Sequence, residues 1–341
     1  MKDNLKKYTL DELPKVLVEM DLEPYRSQQI FQWLWQKSAI DFPEMTNLSK
    51  ALRKSLAEHF TINQLIIENR IKSRDGTEKF LFKLEDGNLV ESVFIPETRR
   101  KTICVSTQVG CPLGCKFCAT AQLGFKRNLQ AYEIAAEVQT VQNKIGAKVS
   151  NVVFMGMGEP LLNLSEIEKA INIMSSPVGL SISQRHITVS TIGLVNGMKH
   201  LLQSPLKVKL AISLNFPDEE MRKEMMPATR KNPLKEILKL AREYSLNKQL
   251  VTFEYVIIDG QNDRIKDAQL LLKLLKGIPS KINLIPYNPH PLLPFKSPGL
   301  DKLEKIQKIL MTSRHAITIR KSRGQEILAG CGQLAAETLI V

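Results

Sequence analysis

The sequence predicts an α/β protein built as a partial (β/α)6 barrel, with a small N-terminal helical domain and a connecting β-hairpin. Two observations predict it. Short β-branched runs recur at 102–107, 151–155, 186–190, 207–214, 250–257, 281–286 and 316–320, with helical patterns between most of them. Strands alternating with helices make βα units and a parallel sheet. The unusual residues also gather directly after these runs, where parallel βα folds collect their sites. About six units are too few for a closed eight-stranded barrel. A doubly wound sheet also fits the count.

Residues 1–76 read as a helical accessory domain. Leu13, Val16, Leu17 and Met20 share a helix face behind Pro14. Ile30, Trp33 and Leu34 share another, and Asn47 is a candidate cap for a third helix carrying Leu48, Leu52 and Leu56. Residues 77–96 read as a hairpin: Phe80, Phe82 and Leu84 alternate with polar residues, and Asp86-Gly87 is a strong turn signal. On the return strand Glu91 shares a face with Leu89, Val93 and Ile95. A carboxylate in such company suits a proton acceptor, but the pattern alone favours an edge-strand Glu facing water. Residues 97–325 hold the βα core, and 326–341 a C-terminal segment carrying Cys331.

Composition excludes several classes. An apolar share of 43% rules out a disordered chain. No run of eighteen apolar residues spans a membrane, and no apolar core follows the first basic residues as in a secretory signal, so a cytoplasmic location is expected. Residues 1–90 carry 14 basic and 14 acidic side chains; residues 91–341 carry 34 and 21, which is the whole surplus of +13. A surplus confined to one region suits a polyanion such as RNA, and equally a solvated basic surface. The clusters are Arg99-Arg100-Lys101, Lys126-Arg127, Arg222-Lys223, Arg230-Lys231 and Arg320-Lys321 with Arg323.

Three of the five cysteines, Cys111, Cys115 and Cys118, lie in a C-x₃-C-x₂-C loop after the first strand. Thiolates this close can converge on a metal centre. Structural zinc ordinarily takes four ligands and a [4Fe–4S] cluster four cysteines. Three thiolates leave one iron open for substrate chemistry. Cys104 lies within the preceding strand, poorly placed to be a fourth ligand. Gly156-Met157-Gly158-Glu159-Pro160, Ser190-Thr191, Ser213-Leu214-Asn215 and Pro286-Tyr287-Asn288-Pro289 follow later strands.

With Phe117 before the third cysteine, this loop resembles the radical S-adenosylmethionine signature. Ser106–Cys111, Gly124–Leu129, Met155–Asn163, Lys281–Pro289 and Cys331–Leu334 further resemble the dual-specificity adenine-C2 methyltransferases of 23S ribosomal RNA and transfer RNA. The resemblance runs from about residue 24 to residue 334. It implies a radical SAM barrel in which Cys111, Cys115 and Cys118 hold one [4Fe–4S] cluster per subunit. It also implies that Gly158, Glu159, Ser190, Ser213, Leu214, Asn215 and Asn288 contact S-adenosylmethionine, two molecules of which serve each turnover. Cys331 would carry the methyl group, Cys104 would resolve the RNA adduct through a transient disulfide, and Glu91 would accept the C2 proton. The implied targets are adenine 2503 of 23S rRNA and adenine 37 of some tRNAs. The implied partners are these RNAs, docked with help from the N-terminal domain, and a low-potential donor such as flavodoxin or ferredoxin. A monomer without membrane contact is expected. Asn215 stands where the family usually has His, and Ile192 where it often has Ser. Two alternatives remain at this point: a C8-methylating resistance enzyme on the same scaffold, and a zinc-stabilised RNA-binding protein without catalysis.

Overall fold

The structure is a computed structural model and describes residues 2–335. The C-terminal segment is therefore described only as far as Ala335, and residues 336–341 lie outside the described residues. Ten strands form one sheet. Three are antiparallel: β1 Ile66–Lys72, β2 Glu78–Lys83 and β3 Leu89–Pro96. Seven are mutually parallel: β4 Lys101–Cys104, β5 Asn151–Phe154, β6 Ile187–Thr191, β7 Lys209–Ser213, β8 Val251–Ile257, β9 Ser280–Pro286 and β10 Ala316–Ile319. Their spatial order is their sequence order from β1 to β10, and the two end strands are not paired with each other. A doubly wound sheet reverses direction at a switch point. This sheet never reverses, so it is an open, barrel-like sheet with its parallel strand ends along one rim.

The N-terminal helices are α1 Leu13–Glu19, α2 Arg26–Trp35 and α3 Lys50–His59. A short α4, Ala119–Gln122, follows the cysteine loop. The crossovers run through α5 Ala131–Ile145, α6 Leu164–Ser175, α7 Val195–Gln203, α8 Glu219–Met225 with α9 Leu234–Asn247, α10 Ile265–Leu275, and α11 Leu300–Leu310. All but α8 place an apolar stripe on the sheet; Ile134, Ala135 and Val138 of α5 and Ile167 and Ile171 of α6 are fully buried. No helix among the described residues is long and apolar enough to cross a membrane.

Three sequence expectations change. The cap of α3 is Ser49, whose hydroxyl accepts from the Leu52 amide at 3.2 Å; Asn47 accepts instead from the Trp33 indole. Residues 66–72 form a strand rather than helix, hidden in the sequence because the edge strand Ile-Ile-Glu-Asn-Arg-Ile-Lys is largely exposed and lacks a clean alternation. Glu91 is not at an edge. Strands β2 and β4 flank β3 on either side, and Glu91 is 2% exposed.

The helical module docks on α5 through a buried polar contact. Gln139 donates to the carbonyls of Leu34 (2.8 Å) and Trp35 (2.7 Å), which end α2, and accepts from the Lys6 ammonium at 2.8 Å. Helix ends leave carbonyls without partners, and one side chain satisfies two of them here. Gln139→Ala would take this donor from the two buried carbonyls and leave Lys6 with Gln64, at 3.1 Å, as its remaining hydrogen-bond acceptor of the pair. Urea unfolding should show a loss of about 2–3 kcal/mol.

Candidate functional site

The cysteine loop is framed from both sides. After β4 the chain forms a short ribbon, Gln108–Gly110 against Phe125–Asn128. Gly110 has φ +75, and a Cβ there would sit 1.9 Å from the Gly124 carbonyl oxygen. That same oxygen accepts from the Cys111 amide at 2.8 Å, so only glycine lets the ribbon close beside the first thiol. Beyond it, the Lys116 amide donates to the Met225 carbonyl of α8 (3.0 Å), and the Ala119 amide to the Gly332 carbonyl (2.7 Å). Phe117 packs against Phe216, ring centres 5.8 Å apart.

All three thiols line one cavity, and all five cysteines are free thiols. Burial pushes the Cys111 thiol up to about 12, holds Cys115 well above its usual range and also raises Cys118. Ionising all three unaided is therefore costly, and a cationic inorganic centre is what would make them thiolates. Among the described residues, no three His, Cys, Asp or Glu side chains converge as donors for one metal ion. A single zinc would draw its sulfurs to about 2.3 Å from one point. Three thiols lining one cavity, with no fourth Cys or His among its lining except Cys331, fit the three protein corners of an iron–sulfur cage.

The cavity opens at the strand C-termini, with about 1020 Å³ of empty space including its mouth. Gly158 and Glu159 line it from beyond β5, Ser190 and Ile192 from β6, Ser213 and Asn215 from β7, and Glu254, Tyr287 and Cys331 complete it. Glu159 accepts from the Ile192 amide (3.0 Å) and the Leu161 amide (3.1 Å), yet burial dominates and raises its carboxyl to about 7. Asn215 adopts φ +54, a conformation Asn tolerates better than most residues. Its side chain accepts from the Val256 amide at 3.0 Å.

Two expected cofactor residues are not among those lining this cavity. The Leu214 side chain is fully buried in the core, and its carbonyl accepts from Arg222. Asn288 lines an adjoining hollow with Cys104, Arg320 and Cys331. It donates to the Cys331 carbonyl at 3.5 Å and accepts from Gln325 at 3.1 Å.

Cys331 faces both hollows, so it stands between the cavity and Cys104. Burial pushes the Cys104 thiol up to about 12, and the neighbouring Cys331 adds to this. Arg320 Nη1 is 3.8 Å from Cys331 Sγ. Glycines flank Cys331, but its segment is held firmly: Thr120 donates to the Leu334 carbonyl at 2.6 Å, and Gln333 to the Pro289 carbonyl at 2.6 Å. Glu91 sits behind this segment, accepting from the Ala335 amide at 2.9 Å and pairing with Lys79 at 3.0 Å.

Lys79, Arg222 and Arg320 were not singled out as site residues. In the sequence the two arginines read only as members of surface basic clusters. Arg222 is 1% exposed, and Arg320 lies against Cys331. Arg127 is half-exposed and engaged by ion pairs with Glu133 (2.8 Å) and Asp86 (2.5 Å). Arg99, Arg100, Lys101, Lys126, Arg230, Lys231 and Lys321 remain exposed.

A barrel-like parallel sheet with three clustered thiols at its rim defines a radical SAM protein, and residues 105–272 match the Radical SAM superfamily. Residues 3–62 match the ribosomal RNA large subunit methyltransferase N-terminal domain. The chain is 46% identical to the dual-specificity RNA methyltransferase RlmN of Geobacter sulfurreducens, over 97% of this chain and 91% of that one. It is 44% identical to the Geotalea uraniireducens protein of the same name, covering 98% and 96%. The crystal structure of a radical SAM methyltransferase from Sphaerobacter thermophilus superposes with a TM-score of 0.93 at 39% identity, covering 98% of this chain and 100% of that one. The chain belongs to the RlmN family of dual-specificity RNA methyltransferases.

Glu159 gives the site a pH signature. Its carboxyl holds a proton more tightly folded than unfolded, so stability falls as pH rises from about 4.5 to about 7 and then levels. The drop is on the order of 3 kcal/mol. In cofactor-free protein Glu159→Gln should flatten this part of the stability curve, measured by urea unfolding at a series of pH values.

Proposed function

We propose that this chain methylates C2 of adenine 2503 in 23S rRNA and of adenine 37 in some tRNAs. The observation that carries this reading is the placement of Cys331, with the cavity on one side and Cys104 on the other. A methyl carrier needs access to a donor at one stage and to a resolving thiol at another. Cys111, Cys115 and Cys118 hold a [4Fe–4S] cluster, and Gly158, Glu159, Ser190, Ser213 and Asn215 surround S-adenosylmethionine beside it. Leu214 contributes through its backbone, and Asn288 by holding the Cys331 segment. When bound, this pair supplies methyl groups and one-electron hydrogen abstraction, chemistry that no side chain of the protein provides.

Adenine C2 is an electron-poor carbon and does not displace a methyl group from a sulfonium. A thiolate does, so Cys331 takes the methyl group first. Once the Cys331 methyl carbon is joined to C2, Glu91 takes the C2 proton. Attack by the Cys104 sulfur on Cys331 forms the S–S bond and breaks the C–S bond, and the electron pair left on the methylene carbon takes up a proton, matching the one the Cys104 thiol gives up, so that a methyl group stays on the base. Such a disulfide is transient and must be reduced again before the next turnover. The exposed basic residues contact phosphates, which position the RNA rather than read its sequence. Residues 1–76 act as an RNA-docking module, 77–96 present Glu91, 97–325 form the catalytic core and 326–341 carry Cys331. The protein works as a cytoplasmic monomer, reduced by a flavodoxin or ferredoxin type of donor.

Cys331→Ala is expected to abolish RNA methylation while iron and sulfide content stay at the wild-type level. Mass spectrometry of digested RNA from the wild-type reaction is expected to place the methyl group on C2. Normal turnover by the variant contradicts the carrier role, and a C8 product assigns the chain to the resistance-enzyme chemistry.

A further inference from the structure

Arg222 is a deeply buried charge that the proposed chemistry leaves unused. It projects from α8 and donates to the carbonyls of Ser213 (3.2 Å), Leu214 and Ile192 at the ends of β6 and β7. Its Nε has no partner among the described residues. No carboxylate there pairs with it either. Glu219, one turn earlier, is half exposed and lies 3.9 Å from Lys223.

The surroundings are apolar. Arg222 Nη1 is 3.7 Å from Met226 Sδ, and Met226 packs in one cluster with Cys111, Cys115, Phe117 and Phe216. The Lys116 amide bonds to α8 one turn from Arg222, which ties the guanidinium's own helix to the cysteine loop. A buried guanidinium is costly without a counter-charge, and carbonyl dipoles offset only part of that cost. Burial lowers its pKa to about 10, and charge on Cys115 and then on the more distant Glu219 acts in the opposite direction. Arg222 in turn favours ionisation of Cys115.

We propose that Arg222 is the internal counter-charge of an iron–sulfur cluster held by Cys111, Cys115 and Cys118, and that it raises the reduction potential of that cluster. This rests on the reading of the three thiols given above. One-electron reduction adds a negative charge to the cage, and a fixed cation behind the cysteine loop stabilises the reduced form more than the oxidised one. Arginine suits the position because one guanidinium can hold its charge there and donate to all three carbonyls at once. Its three carbonyl bonds also brace the strand ends that carry Ser213 and Ile192. A purely bracing role predicts no change in potential.

The test uses anaerobically prepared, cluster-loaded wild type, Arg222→Lys and Arg222→Met. Iron and sulfide per chain, the midpoint potential by redox titration followed by electron paramagnetic resonance, and melting of apo and loaded protein are measured. The expected result is full iron content with a more negative potential in Arg222→Met, a potential near wild type in Arg222→Lys, and a wild-type melting advantage over Arg222→Met that widens on loading. Should Arg222→Met fail to fold, Arg222→Gln keeps a neutral donor at the carbonyls and its potential decides in the same way. An unchanged potential in a fully loaded neutral variant overturns the inference alone. Wild type that takes up no iron overturns the reading of the thiols and the inference with it.

Discussion

Three backbone hydrogen bonds fix the thiols, and the rest of the site depends on them. The Cys111 amide ties the loop to the ribbon at Gly124, the Lys116 amide ties it to α8, and the Ala119 amide ties it to the segment that carries Cys331. The middle bond sets the distance between the loop and Arg222, and the last sets the distance between the loop and the candidate methyl carrier. None of the three is made by a side chain. The geometry therefore excludes a side chain at Gly110, where any Cβ would strike the carbonyl that makes the first bond, and strains one at Gly114 between the cysteines, where φ is +65.

The sheet supplies the other half. Its strands never reverse order, so every parallel strand ends on the same rim. Glu159, Ser190, Ser213 and Tyr287 come from four separate βα connections and meet around one cavity. The antiparallel strands β1 to β3 continue that sheet, and this places Glu91 in the interior, behind the Cys331 segment. A carboxylate that looks like an edge residue in the sequence becomes a buried partner of Lys79 because a strand pairs on each side of it.

Much of this was legible in the sequence. The seven β-branched runs coincide with β4 to β10, because Val, Ile and Thr fit the pleated surface of a strand that packs at least one face on the core. The cysteine spacing and the strand-end motifs gave most of the cavity wall. What failed was orientation. Arg222 and Arg320 sit beside Lys223 and Lys321 and read as surface charge, yet both turn inward. Nothing local to them announces the carbonyls of Ser213, Leu214 and Ile192, or the sulfur of Cys331, that receive them. Ser49 and Asn47 are both good caps by type, and only the course of the chain decides between them. Leu214 and Asn288 stand at strand ends as expected, but one side chain enters the core and the other supports the Cys331 loop.

The central claim is that three protein sulfurs leave one corner of an inorganic cage open to the cofactor. Mössbauer spectroscopy of air-free protein loaded with isotopically enriched iron tests it most directly. The account predicts a four-iron cluster in which one iron site changes its signal when S-adenosylmethionine is added and the other three do not. Four irons that all stay unchanged on addition, or a protein that retains zinc and no iron, would contradict it.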